Sequence, residues 1–120
     1  MKVAFTASGN TLDATMDPRF GRAAGFIVYD TDNDTFEVID NQQIRNSAQG
    51  AGIQAAETIV RLGANCLVTG HCGPNAFRAL TAAGVRVYTT QAATVADALE
   101  AFRAGALSVM NSADVAGHWS

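Results

Sequence analysis

From Lys2 to Ala7 the chain alternates, with Val3 and Phe5 on one side, the period of a strand entering a core. A polar loop follows from Ser8 to Arg19. Phe26 to Asp30 is a continuous apolar run and Phe36 to Asp40 alternates again; Thr31-Asp32-Asn33-Asp34 between them carries turn chemistry, which predicts a hairpin. Residues 41 to 50, with Asn41, Asn46, Ser47, Gln49 and Gly50, read as a second polar loop. From Ala51 to Leu62 the period changes: Ile53, Ala56, Ile59 and Val60 fall on one face and Gln54, Glu57, Thr58 and Arg61 on the other, a surface helix closed by Gly63. Cys66 to Thr69 reads as a strand, Pro74 to Ala83 as a helix packing through Phe77 and Leu80, and Val85 to Tyr88 as the last strand. Thr94 followed by Asp97 resembles a capping box, and Val95, Leu99 and Phe102 then repeat at i, i+4, i+7, so a third helix runs to about Ala104 before Gly105.

The order β-β-β-α-β-α-β-α predicts an α/β fold: a mixed sheet of five strands with helices on its faces, antiparallel at its start and parallel afterwards. One domain spans 1–108, and 109–120 reads as an irregular tail. Ligands of such sheets collect at the carboxyl ends of the parallel strands, near the switch in strand order. With the first and fourth strands as neighbours, the loop after Ala7 should lie beside the turn at 70 to 73.

Composition narrows the partners. The 120 residues are 48% hydrophobic and 16% charged, the balance of a packed globule. The net charge of −3 comes with eight scattered Lys and Arg, which argues against nucleic acid. No apolar run approaches the roughly 18 residues of a membrane span and the start has no leader pattern, so a cytoplasmic, membrane-free protein is expected. Two cysteines in that compartment read as reduced thiols. Cys66 reads as a buried small hydrophobe. Cys72, just past a strand end where exposure and a helix start could lower its pKa, stands open between a ligand contact and an incidental loop thiol. A conventional cluster held by four thiolates cannot be built from one copy of the chain.

Four segments carry candidate chemistry. Ser8-Gly9-Asn10, Gln49-Gly50-Ala51-Gly52 and Gly70-His71-Cys72-Gly73-Pro74-Asn75 each combine glycine with polar groups, and the last two open helices whose N–H groups suit an anion. Pro74 fits a first helical position, and His71 with Cys72 supplies one borderline and one soft donor, candidates for contact with a metal. Arg19-Phe20-Gly21-Arg22 could present two guanidinium groups to the same anion. The plainer readings are that the glycines serve tight connections and that Arg22 pairs with Asp13 or Asp17. Catalysis has less support: no acid lies in Lys2 to Ala7 for two-metal chemistry, the Walker A pattern is absent, and no acid orients a Cys72–His71 pair. A non-enzymatic binder is expected.

Taken together, Met1-Lys2-Val3-Ala4-Phe5-Thr6-Ala7-Ser8-Gly9, Arg19-Phe20-Gly21-Arg22, Gly50-Ala51-Gly52-Ile53 and Gly73-Pro74-Asn75-Ala76-Phe77 resemble the family of small proteins that carry the iron-molybdenum cofactor and its precursors during nitrogenase assembly. The resemblance implies a ribonuclease H-like fold without nuclease activity and the binding or delivery of a metal-sulfur cluster. Among the members, the chain looks most like those of sulfate-reducing bacteria that carry a molybdenum-copper-sulfide cluster without cysteine ligation. An iron-sulfur or iron-molybdenum precursor is the alternative cargo. A regulatory adaptor binding a nucleotide or phosphate anion is the alternative of a different class. A P-loop ATPase or a cluster-recipient protein is the implied partner. His71-Cys72 departs from the family's usual turn, where small residues are common.

Overall fold

The computed structural model describes residues 1–42 and 50–111. Among these residues six strands and three helices follow in the order β1 (Lys2–Ala7), β2 (Gly25–Asp30), β3 (Thr35–Asp40), α1 (Ala51–Arg61), β4 (Cys66–Thr69), α2 (Pro74–Ala82), β5 (Arg86–Thr89), α3 (Val95–Arg103) and β6 (Ser108–Val109). They form one mixed sheet in the order β3-β2-β1-β4-β5-β6. The predicted hairpin is β2–β3, with Ile27 opposite Val38, and β1 pairs parallel with β4, the expected neighbours.

The sheet has six strands, not five. β6 lies in the stretch expected to be irregular, crosses the expected domain end at residue 108, and pairs antiparallel with β5. Two residues are too short to show alternation, so the pairing comes from tertiary contact: Met110 donates its N–H to the Val87 carbonyl at 2.7 Å. Residues 112–120 lie outside the described residues.

Alternation along the strands divides the core. Ala4, Phe26, Val28, Leu67 and Val87 face α1 and α2, while Val3, Phe5, Ile27, Tyr29 and Val68 face α3. Thr94 caps α3 as its spacing predicts, accepting the Asp97 N–H at 3.1 Å. The expected face of α1 is half right: Ala56 and Ile59 are buried, but Ile53 and Val60 are each 40% exposed, and Gly52, Ala55 and Thr58 are buried in their place. Small residues win that face because α1 lies close to α2. A β-carbon on Gly52 would stand 3.3 Å from the Ala76 β-carbon. No helix among the described residues is long and apolar enough to cross a membrane.

Candidate functional site

Thr6, next to last in β1, and Thr69, last in β4, are both fully buried and begin the site. Thr6 donates its hydroxyl to the Asp17 carbonyl at 2.6 Å, and the Asp17 N–H returns to the Thr6 carbonyl at 3.0 Å. The loop after β1 is therefore tied across the carboxyl end of the sheet. It then runs parallel to the turn after β4: His71 donates its N–H to the Pro18 carbonyl at 2.7 Å, and Phe20 donates to the His71 carbonyl at 3.3 Å.

Close backbone approach makes this seam. A β-carbon on Gly70 would stand 2.8 Å from the Pro18 carbonyl oxygen, and one on Gly21 2.8 Å from the Gly52 nitrogen. Such distances admit only glycine without displacement, so these glycines let the chain segments approach. Phe20 anchors the loop, buried with its ring 5.7 Å from that of Phe26. The arginines on either side differ, Arg19 exposed and Arg22 half-buried.

Two concavities meet at His71. A crevice of about 30 Å³ is lined by Arg19, Phe20, Gly21, Arg22, Ala51, Gly52, His71, Gly73 and Ala76. Most of the predicted site residues thus come together at the starts of α1 and α2. Neither helix has an acid in its first turn, and both begin at glycines, Gly50 and Gly73, which have no side chain to cap them. α3, away from this crevice, has both Thr94 and Asp97. The second concavity is a cleft of about 700 Å³ lined by Thr15, Met16, Pro18, Gly70, His71, Thr89 to Ala93, and Met110. The sequence reading missed the 89–93 segment, although the rule that singled out the end of β4 applies equally to the end of β5. Met16 and Met110 gave no signal, being isolated thioethers.

Other predicted residues stand apart. Ser8 donates both its N–H and its hydroxyl to the Thr15 carbonyl, at 3.0 and 2.9 Å, closing the loop on itself. Ser8-Gly9-Asn10 consequently lines a separate groove with Gly25, Val38 and Asp40. Pro74 and Asn75 occupy the first turn of α2, half-buried and exposed respectively, and line neither concavity. Gln49 lies outside the described residues.

Cys72 is 0% exposed, part of the core between the sheet and α1/α2, with its sulfur 3.8 Å from the Gly73 carbonyl. The exposure expected of it at the strand end is absent, because the seam with Pro18 and Phe20 turns His71 outward and the next residue inward. Cys66 is buried as expected. Burial pushes its thiol up, opposed by Arg86 and by a hydrogen bond with Tyr88. The two are not joined in a disulfide. Among the described residues no three His, Cys, Asp or Glu side chains gather as a metal site.

The family described as dinitrogenase iron-molybdenum cofactor matches residues 1–105. The apo form of the orange protein from Desulfovibrio gigas is similar at 41% identity and a TM-score of 0.92, over 95% of this chain and 96% of that one. A NifB-like Thermotoga protein of the DUF35 family is 35% identical with a TM-score of 0.85, over 97% and 98% of the two chains. An uncharacterized protein of Methanocaldococcus jannaschii is 28% identical over 110 residues, 89% of each chain.

Proposed function

As a member of the dinitrogenase iron-molybdenum cofactor family, this protein, we propose, binds and carries a metal-sulfur cluster as cargo, a molybdenum-copper-sulfide cluster first of all, without catalysing a reaction on it. The observation that carries the reading is the seam between Arg19 and His71, which unites two arginines and two helix starts at one crevice. A multiply charged sulfide anion suits that set. Charge-assisted hydrogen bonds contribute about 1.5–3 kcal/mol each, and N–H groups of helix starts add a partial positive charge. The cleft beyond His71 offers room and two thioethers, soft groups compatible with copper and sulfide. With no gathered set of ionisable ligands among the described residues, the cluster is held whole by charge and shape rather than by thiolates. His71 is the one candidate for direct metal contact that lines both concavities.

On this reading the sheet is a ribonuclease H-like scaffold used for binding, in the cytoplasm, and a P-loop ATPase or recipient protein exchanges the cargo. Adding tetrathiomolybdate and copper to the apo-protein should give a coloured complex that survives desalting with both metals bound. Absence of retained metal removes the molybdenum-copper cargo. Retention after reconstitution with iron and sulfide instead favours an iron-sulfur or iron-molybdenum precursor.

A nucleotide or phosphate ligand is the second reading, favoured by the glycine-started helices, which suit phosphate as well as sulfide. Calorimetry against ATP and inorganic phosphate separates it, since heat of binding without metal retention selects the adaptor role.

A further inference from the structure

The groove at Ser8-Gly9-Asn10, about 390 Å³, is not used by the cluster reading and runs beside the outer strand of the sheet. β3 ends the strand order, and among the described strands its outer edge has no ladder partner. Phe36 and Val38 share one face of it and are each 41% exposed. Coverage explains this. Among the described residues the face carries one helix, α3, and a helix about 10 Å across covers roughly two strands spaced about 4.8 Å apart. The cover ends at β2, where Arg103 lies 5.2 Å above the Tyr29 ring and bonds Asp34 at 2.7 Å.

Charge gives the edge a sign. Residues 25–40 include Asp30, Asp32, Asp34, Glu37 and Asp40 and no Lys or Arg. Asp32 is paired with the N-terminal amine and Asp34 with Arg103, whereas Glu37 and Asp40 stand exposed on β3 itself. Natural edge strands are commonly blunted by charged side chains, proline or a bulge; β3 has no proline and keeps continuous register with β2, and its two charges, Glu37 and Asp40, are both acidic, which disfavours acidic partners and leaves a basic one. We infer that β3 accepts an extended, cationic segment of a partner protein as a seventh strand. Main-chain pairing extends the sheet, apolar side chains of the segment cover Phe36 and Val38, its alternating Lys or Arg residues meet Glu37 on the opposite face, and the charge of Asp40, at the strand end beside the Ser8–Asn10 groove, adds to the attraction. A second copy of this chain fits poorly, because it would bring two acidic edges together.

A labelled Lys-Val-Lys-Val-Lys-Val peptide tests this by fluorescence anisotropy, with amide chemical shifts recorded on the intact protein. The basic peptide should bind, lose affinity as salt rises and shift amides of residues 35–40, whereas Glu-Val-Glu-Val-Glu-Val should not bind. The double variant Glu37→Lys/Asp40→Lys should weaken binding about ten-fold or more, and Val38→Lys should weaken it comparably. Circular dichroism verifies that these edge variants fold. The inference is overturned by absence of binding, by shifts that map away from β3, by equal affinity in the double variant, or by sedimentation showing that β3 pairs copies of the chain.

Discussion

Gly21 and Gly52 touch backbone to backbone: a β-carbon on Gly21 would stand 2.8 Å from the Gly52 nitrogen and 2.9 Å from its α-carbon. The obstacle is main chain and has little room to yield. Gly21→Ala should therefore push the arginine loop off the start of α1 and cost about 1–3 kcal/mol, the usual range for overpacking. A urea melt should show the lowered midpoint, and the folded fraction should retain less tetrathiomolybdate and copper. An unchanged midpoint would mean that the loop is not seated on α1 as described.

Arg19 and Arg22 flank the buried Phe20, so truncating either guanidinium leaves the anchor of the loop in place. Arg22→Ala should release the cargo about ten-fold more readily, the equivalent of one charge-assisted contact, and Arg19→Ala should have a smaller effect because it is more exposed. Metal analysis after desalting reads both variants. Full retention by Arg22→Ala would assign that side chain to pairing within the protein.

Much of this fold could be read from periodicity and turn residues. The period of Lys2 to Ala7, the turn residues at 31 to 34 and Thr94 with Asp97 were enough to recover β1, the β2–β3 hairpin and the start of α3. Arg19 to Arg22 and the turn at 70 to 73 were legible because unusual residues cluster there. Three features were not. Half of the buried face of α1 was hidden because close helix packing selects Gly52 and Ala55 over the larger Ile53 and Val60. β6 is too short to have a period. The inward turn of Cys72 depends on hydrogen bonds between residues more than 50 positions apart, His71 to Pro18 and Phe20 to His71, which no local pattern encodes.

Cys72 separates a packing role from a ligand role. Its sulfur lies in the core, so Cys72→Ala should open a small cavity and cost about 1 kcal/mol, while Cys72→Ser buries a hydroxyl and costs about 1–3 kcal/mol. The folded Cys72→Ala protein should retain its cargo as the unaltered chain does. In the native protein both thiols should react slowly with an aromatic disulfide reagent, Cys66 even at mildly alkaline pH, because burial raises its pKa and reduces the thiolate. Loss of cargo from folded Cys72→Ala would instead show that the turn opens to bring sulfur to the cluster.

Asp30 gives the hairpin a measurable pH dependence. The Asp32 N–H, foremost, and the Asn33 side-chain amide donate to its carboxylate, each at 2.9 Å, and hold its pKa below the ordinary 3.8. A carboxyl whose folded pKa is depressed contributes stability that is present above its unfolded value and lost as pH falls through the lower folded value. Asp30→Asn should accordingly melt below the unaltered chain at neutral pH, with the gap closing as pH falls from 3.8 toward the depressed folded-state value. The carboxylate is exposed, so the effect should be modest and should shrink in high salt to the extent that it is coulombic. Thermal melts of both proteins across that interval read it directly, and a gap that stays constant with pH would show that the turn does not depend on the charged form of Asp30.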